Sequence, residues 1–157
     1  MRIAVFPGSF DPVTKGHEDL IYRASKMFDK VIVGVLVNSN KNSFLKAEDK
    51  KRILELALED LPEVEVKVFD GLLVDFLREN NSKIIIRGLR SMLDLEYEMP
   101  LDYGNKVLDP QIETVYLLTK PEYSHISSSA VKELMKYNAD ISSYVSEKVL
   151  NALNELK

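Results

Sequence analysis

Several residues that could bind or stabilise phosphate groups follow directly after hydrophobic, strand-like segments of the chain. His17 ends a loop that begins at Pro7, and it stands where a helix is expected to start. Arg87 and Arg90 follow the three isoleucines, residues 84–86, of a buried-type strand. Arginine makes bidentate contacts with phosphate, and a helix N-terminus offers free N–H groups and the positive end of a dipole. This pattern indicates chemistry on a phosphate group.

Two further groups follow other strand-like segments. Lys41 lies in a polar loop, and three consecutive serines, residues 127–129, open a helix after the last predicted strand. One serine is enough to cap a helix, so the additional hydroxyl and N–H groups are free to face a phosphate. Taken with His17, Arg87 and Arg90, these residues predict a polyphosphate site suited to phosphoryl or nucleotidyl transfer.

Each of these residues also has a purely structural interpretation, which the sequence alone leaves open. His17 can cap or pack its helix, Lys41 can be a solvated surface lysine, and Arg87 can form an internal ion pair. Glu98, on the helix predicted downstream, can pair with an arginine or contact a ribose. His125, in the loop before the serines, can be exposed or can pack on a ligand.

The motifs of several other phosphate-binding and catalytic classes do not occur in the sequence. Neither a Walker loop nor the Gly-x-Gly-x-x-Gly of dinucleotide folds is found, nor an HExxH, an EF-hand or a nucleophile elbow. The chain has no cysteine, which excludes a thiol nucleophile, a disulfide scaffold and a structural cysteine–zinc site. We therefore expect any metal to arrive with the nucleotide, as Mg²⁺ usually does.

The elements that must position these residues alternate along the chain. Strand-like segments are predicted at residues 2–6, 30–37, 64–68, 83–87 and 114–119, and helical patterns at residues 17–28, 47–61, 72–79, 91–107, 127–136 and 142–156. Pro100 is expected to kink or interrupt the fourth helix. The alternation predicts a single doubly wound, Rossmann-like α/β domain over residues 1–157, with a parallel sheet of about five strands and helices on both faces. Ligands of such sheets bind beyond the carboxyl ends of the strands.

Composition is that of a globular domain and excludes other classes. The 157 residues are 45% hydrophobic and carry a net charge of -4, with a pI of about 5.3. A general nucleic-acid binder would carry a basic surplus. The longest apolar run, residues 31–37, is far shorter than the roughly 20 residues of a membrane span. The N-terminus has the pattern of a strand and turn instead of a signal peptide, so together with the lack of cysteine we expect a cytoplasmic protein.

Four segments together resemble the bacterial phosphopantetheine adenylyltransferases, which belong to the nucleotidyltransferase superfamily with the (H/T)xGH signature. They are FPGSFDPVTKGH at residues 6–17, RGLR at 87–90, EYE at 96–98 and ISSS at 126–129. The resemblance covers essentially the whole chain. It implies that the adenylyl group of ATP, bound with Mg²⁺, is transferred to 4′-phosphopantetheine, giving dephospho-CoA and pyrophosphate. It also implies a homohexamer and inhibition by CoA.

The resemblance further implies roles for individual residues. His17 would stabilise the transition state at the α-phosphate, and Ser9 would contact both substrates. With Ser9, the residues implied to bind phosphopantetheine are Lys41, Leu73 and Arg87. Those implied to hold ATP are Ser9, Phe10, His17, Gly88, Leu89, Arg90, Glu98, Tyr123, Ser124, His125, Ile126, Ser127, Ser128 and Ser129.

The sequence departs from the family pattern at a few positions. Ser9 stands where threonine is more usual, and Tyr123 and His125 replace bulkier or more apolar aromatic residues. Lys46 stands where a threonine or serine would cap the second helix, so the start of that helix is open. Two other functions remain: a nucleotidyltransferase that acts on a mononucleotide or on glycerol phosphate, and a non-catalytic nucleotide-binding domain.

Overall fold

The computed structural model describes residues 1–37 and 42–157 and has the predicted alternation of strands and helices. The strands are β1 (Ile3–Gly8), β2 (Lys30–Val37), β3 (Val64–Asp70), β4 (Ile84–Leu89) and β5 (Glu113–Leu118). The helices are α1 (Lys15–Ser25), α2 (Ala47–Ala57), α3 (Leu73–Glu79), α4 (Met92–Leu108), α5 (Ser128–Lys136) and α6 (Glu147–Glu155). A 3₁₀ turn at Pro121–Tyr123 lies between β5 and α5.

The strands form a parallel sheet in the order β3-β2-β1-β4-β5, which confirms the predicted Rossmann-like α/β fold. The chain winds outward from β1 to β3 and then returns to the other side of β1, so the switch point lies between β1 and β4. Only Ala4 with Ile84 and Val5 with Ile85 are paired between these two strands. Both strands continue beyond these pairs, and a crevice opens between their carboxyl halves.

Alternate residues of the inner strands bury their side chains on opposite faces of the sheet. Ala4 and Phe6 of β1 belong to the larger core, which α1, α2, α5 and α6 cover. Val5, between them, packs in a smaller core with residues of β3 and α3. Helix α4 contributes no buried apolar side chain, and its one buried residue is Glu98. This helix therefore lies beside the crevice and covers little of the sheet.

Several helix boundaries differ from the sequence-based prediction, each for a local reason. Helix α1 begins before His17 because Thr14 is its N-cap. Helix α2 begins at Ala47 although Lys46 provides no side-chain cap, and acidic residues in its first turn suit the helix dipole. The predicted interruption at Pro100 is wrong, because α4 runs through that residue. The predicted start of α6 at residue 142 is also wrong: Asp140 accepts a hydrogen bond from the Ser142 N–H in a turn there.

Candidate active site

A cavity of about 390 Å³ lies at the carboxyl ends of β1 and β4, where the crevice opens. The loop after β1, the start of α1, the β4–α4 connection and the start of α5 surround it. It is lined by twelve of the residues that the sequence analysis singled out: Ser9, Phe10, His17, Arg87, Gly88, Arg90, Glu98, Tyr123, Ile126, Ser127, Ser128 and Ser129. Four separate segments of the chain thus bring their predicted residues to one place.

A second cavity, of about 480 Å³, adjoins the first. Ser9, Arg87, Tyr97 and Glu98 line both cavities. Leu73 lines only the second, among apolar side chains that include Leu36, Phe69, Ile85 and Leu101. Asp102, Asn105 and Thr114 also line the second cavity. The Arg87–Glu98 pair therefore stands between the first cavity, called the polar cavity because it holds His17, Arg90 and the serines of α5, and a second one of mixed lining.

Three predicted site residues within the described part of the chain line neither cavity. Leu89 is buried at the end of β4. Ser124 is exposed and donates a hydrogen bond to the Pro121 carbonyl oxygen, and the exposed His125 packs its ring edge-on against Tyr144. Lys41 lies outside the described residues.

The segment that follows the undescribed residues is anchored to the loop after β1. The buried Asp11 carboxylate accepts hydrogen bonds from the Phe44 and Leu45 N–H groups, each at 2.8 Å. Lys132 of α5 approaches the same carboxylate at 3.4 Å. Asp11 thereby joins the β1–α1 loop, residues 44–45 and α5.

The ring of His17 is held by the residue that caps its helix. The Thr14 N–H donates to His17 Nδ1 at 3.1 Å, and the Thr14 hydroxyl lies 3.2 Å from the same nitrogen. A backbone N–H can only donate, so Nδ1 must be the acceptor and the neutral ring carries its proton on Nε2. The buried Phe10 ring packs edge-on against His17, with ring centroids 5.1 Å apart. Capping and packing thus fix the orientation and the tautomer of a ring that also borders the cavity.

The surroundings of His17 favour its neutral form. Burial of the ring, together with the positive charges of Arg87 and Arg90, lowers the pKa of His17 from 6.5 to about 4. A histidine in free solution has a pKa of about 6.5, so either protonation state is reachable near pH 7. In the folded chain without ligands the ring is neutral there, and Nε2–H is its hydrogen-bond donor.

Arg87 is held from two sides. Its Nε and one terminal nitrogen donate to the two Glu98 carboxylate oxygens, at 3.0 and 2.6 Å, and its other terminal nitrogen donates to the Pro7 carbonyl oxygen at 2.9 Å. This last bond crosses the gap where β1 and β4 are no longer paired. Of the two alternatives that the sequence left open for Glu98, the structure has the arginine pair.

Arg90 is held more loosely. Asp94 accepts hydrogen bonds from the Arg90 backbone N–H at 2.7 Å and from Arg90 Nε at 3.3 Å. One terminal nitrogen of Arg90 donates to the Ile126 carbonyl oxygen at 3.4 Å. Both arginines that border the polar cavity are therefore paired with carboxylates of α4.

Two of the three serines at the start of α5 have different structural roles. The Ser127 hydroxyl is the N-cap and accepts a hydrogen bond from the Ala130 N–H at 3.0 Å. The Ser128 hydroxyl donates to the Pro12 carbonyl oxygen at 2.8 Å and so ties α5 to the β1–α1 loop. All three serines line the cavity, and the unpaired N–H groups at a helix start suit an anion.

Close packing places α1 against β4. A Cβ atom on Gly88 would overlap Leu20 Cδ1, and Leu20 belongs to the helix that carries His17. The absence of a side chain at Gly88 therefore sets how near the His17 helix lies to the arginine-bearing strand.

The sequence analysis assigned no site role to the cavity-facing residues of α4 other than Glu98. Asp94, Tyr97, Leu101, Asp102 and Asn105 also line one or both cavities. With Glu98 they recur at the three- and four-residue spacing of one helix face. That periodicity was the available signal, although polar and apolar residues are mixed along the face.

Among the described residues, no group of three or more histidine, aspartate and glutamate side chains could hold a metal ion. The expectation that Mg²⁺ arrives with a nucleotide stays a prediction. No helix in the described part of the chain is long and apolar enough to span a membrane.

Comparison with known proteins agrees with the fold. The family model described as cytidylyltransferase-like matches residues 5–134, so the chain is a member of that class of nucleotidyltransferases. Phosphopantetheine adenylyltransferases are similar over nearly the full length of both chains. The relative from Clostridium tetani is 47% identical, covering 96% of this chain and 94% of its own, and that from Alkaliphilus metalliredigens is 44% identical, covering 99% of each. The chain belongs to the phosphopantetheine adenylyltransferase family.

A solved structure shares the fold at much lower sequence identity. The crystal structure of a Vibrio parahaemolyticus protein assigned as a nicotinate-nucleotide adenylyltransferase superposes with a TM-score of 0.74. The match covers 99% of this chain and 93% of the other at 19% identity. Similarity at this level supports the architecture alone.

Proposed function

We propose that this chain transfers the adenylyl group of ATP to 4′-phosphopantetheine, giving dephospho-CoA and pyrophosphate in coenzyme A biosynthesis. The observation that carries the proposal is the pair of adjoining cavities, which meet at Ser9 and at the Arg87–Glu98 pair beside His17. Two substrates that must react with each other need two adjoining compartments. The relatives that match over the full length carry the name of this activity.

The polar cavity suits ATP. Arg90 and the first turn of α5 present cationic and N–H groups, which favour a polyphosphate. The resemblance assigns ATP contacts to the predicted residues that line this cavity, Glu98 among them. It assigns the same role to Leu89, Ser124 and His125, which are not among the lining residues.

The second cavity suits phosphopantetheine. In this proposal the phosphate of phosphopantetheine binds at Arg87 and Ser9, and its arm extends along Leu73 and the other apolar residues that line the cavity. Lys41 is assigned to the same substrate by the resemblance. A phosphate placed at Arg87 lies next to the polar cavity, where the adenylyl group has to be.

The chemistry requires alignment and charge stabilisation more than a base. A phosphate oxygen of phosphopantetheine, already anionic at pH 7, attacks the α-phosphorus of ATP. The new P–O bond forms while the bond from the α-phosphorus to the bridging oxygen breaks, and that oxygen leaves with pyrophosphate. His17 Nε2–H donates a hydrogen bond to an α-phosphate oxygen that gains charge, and its orientation is set in advance by Thr14.

Mg²⁺ belongs to the proposal as part of the nucleotide substrate. The donor set of the polar cavity fits this role, because its carboxylates, Asp94 and Glu98, are bonded to arginines. An ion carried by the ATP phosphates needs no protein cage and keeps much of its hydration.

A homohexamer, inhibition by CoA and a cytoplasmic location are also part of the proposal. Helix α4 supports self-association, because it exposes large apolar side chains that a second copy could cover, among them Leu93 (74% exposed) and Val107 (83% exposed). CoA contains the whole of dephospho-CoA, the proposed product, so we expect it to compete for both cavities.

The decisive experiment runs the reaction backwards. The purified protein is given dephospho-CoA, pyrophosphate and Mg²⁺, and ATP formation is measured. The control reactions offer the forward substrates of related enzymes: nicotinate mononucleotide with ATP, and glycerol phosphate with CTP. ATP formation only from dephospho-CoA supports the proposal. Turnover of a control pair instead contradicts it, and no pyrophosphate exchange with any acceptor indicates a non-catalytic nucleotide-binding protein.

A further inference from the structure

We propose that Asp94 and Glu98 are positioning residues, each of which orients one arginine for one substrate. Glu98 acts through Arg87 on phosphopantetheine, and Asp94 acts through Arg90 on ATP. This inference rests on the proposed function, since it assigns the two arginines to its two substrates. For Glu98 it differs from the direct ATP contact that the resemblance implies.

The pairing follows from the spacing of the four residues. Asp94 and Glu98 are four residues apart on α4 and therefore lie on the same face, one turn from each other. Arg87 lies near the end of β4 and Arg90 just after it. Each carboxylate bonds a different guanidinium, so the helix holds both arginines at a separation set by its own turn.

Glu98 fixes the plane of the Arg87 guanidinium. Only 10% of the Glu98 side chain is exposed. Its two oxygens accept hydrogen bonds from Arg87 Nε and from one terminal nitrogen, which is a bidentate contact. The Pro7 carbonyl oxygen takes one N–H of the remaining terminal nitrogen. One N–H on each terminal nitrogen is left for a ligand. The direction from which a phosphate can bind is thus set before it arrives.

Asp94 fixes the position of Arg90 in a different way. Its carboxylate accepts from the Arg90 backbone N–H as well as from the side chain, so it determines where the side chain leaves the loop. The Asp94 backbone N–H donates to the Ser91 hydroxyl, the N-cap of α4. The start of α4 therefore fixes Asp94, and Asp94 in turn positions Arg90, the residue just before the N-cap.

A residue that acts only through its arginine has no effect once that arginine is gone. A residue that touches ATP directly keeps its effect. A double-mutant cycle separates the two cases, because partners in one interaction give non-additive effects. Calorimetric titration with each substrate, a non-hydrolysable ATP analogue replacing ATP, measures each arm of the cycle.

For Glu98 the variants are Glu98→Gln, Arg87→Ala and the double variant. We expect Glu98→Gln to raise the Kd for phosphopantetheine about tenfold and to leave the Kd for the ATP analogue within about twofold. In the Arg87→Ala background, Glu98→Gln should cause no further loss. Glu96→Gln is the matched control, because it removes the same charge from an exposed position of α4. Melting curves confirm that each variant is folded, and Arg87→Gln replaces Arg87→Ala if the latter does not fold.

For Asp94 the same cycle is run with Asp94→Asn and Arg90→Ala, and the expected loss is in the Kd for the ATP analogue. In steady-state kinetics, Glu98→Gln should raise the KM for phosphopantetheine and Asp94→Asn the KM for ATP. The inference is overturned by additive losses in either cycle, by a Glu98→Gln effect on ATP binding alone, or by tighter phosphopantetheine binding in Glu98→Gln. If the parent protein binds neither substrate, it is the proposed function that fails; if the parent binds both and the cycles are additive, only this inference fails.

Discussion

At the scale of single residues, the neutral state of His17 has a measurable signature. Because burial and two arginines lower its pKa to about 4, we expect NMR of the ligand-free protein to show the Nε2–H tautomer and a titration midpoint near that value. The depressed folded-state pKa contributes stability above the unfolded-state pKa of about 6.5, and this stability is lost as the pH falls through 4. The loss is at most about 3 kcal/mol.

Urea unfolding of the parent and of His17→Asn between pH 4 and 7 checks the same point. The parent should lose more free energy of unfolding than the variant over this range, because only the parent binds a proton at this position on unfolding. Equal losses in the two proteins, or an NMR midpoint near 6.5, would contradict the neutral ring.

The contribution of His17 to catalysis is tested by removing it. We expect His17→Ala to lower turnover about 10²–10³-fold, the usual cost of losing one preorganised donor to a developing oxyanion. Dissociation constants for both substrates should stay within a few-fold of the parent, and His17→Asn should recover part of the rate. Single-turnover measurements well below both melting temperatures make the comparison. A near-parental rate would reduce His17 to a capping and packing residue.

The sequence predicted where His17, Arg87 and the serines lie, but it did not predict the protonation state of His17 or the ion pair of Arg87. The rule that ligands bind beyond the carboxyl ends of parallel strands was enough to predict that four segments meet at one cavity. The pKa of His17 depends on burial and on arginines about 70 residues away in the chain, and no local pattern contains that information. The role of Glu98 was left undecided for the same reason, because its partner is set by how α4 packs against β4.

At the scale of elements, the contact between Gly88 and Leu20 connects the two halves of the site. We expect Gly88→Ala to cost about 1–3 kcal/mol, since an added Cβ overlaps a buried side chain. Turnover should fall as well, because α1 must move away from β4 and takes His17 with it. Urea unfolding and single-turnover rates measure the two effects.

The control for this prediction is the double variant with Leu20→Ala. Leu20→Ala alone leaves a void and should cost about 2–5 kcal/mol. If the steric explanation is right, the double variant costs less than the sum of the two singles, because the new Cβ occupies part of the void. Fully additive costs would show that the two residues are not coupled.

Element boundaries were predicted less well than element order. Within the described residues, hydrophobic periodicity predicted every β-strand and α-helix in the right order, and β2 with its bounds, because buried faces determine periodicity. The start of α6 and the passage of α4 through Pro100 were missed. The start of α6 depends on a local hydrogen bond, the Asp140–Ser142 turn, that hydrophobicity does not report.

At the scale of the whole molecule, the exposed apolar side of α4 predicts association. We expect Val107→Glu to shift the protein to smaller species in light scattering coupled to size exclusion, because a buried unpaired charge disfavours an apolar interface. Tyr137→Glu, at an exposed aromatic residue of the α5 C-terminus, should leave the mass unchanged. A parent protein that is already monomeric at working concentration would contradict the assembly.

The salt pair between the two cavities also has a consequence for inhibitor chemistry. A compound that fills only one cavity, of about 390 or 480 Å³, reaches the Arg87–Glu98 ion pair at the boundary with the other. A linked compound with one fragment in each cavity has to pass beside Ser9, a small residue that lines both cavities. An anionic linker centred on the guanidinium would gain from the two N–H groups that Glu98 and Pro7 leave free, whereas a neutral hydrocarbon linker would cover them without a partner. Fragment growth from either side is therefore best directed through a phosphate or carboxylate mimic at that crossing.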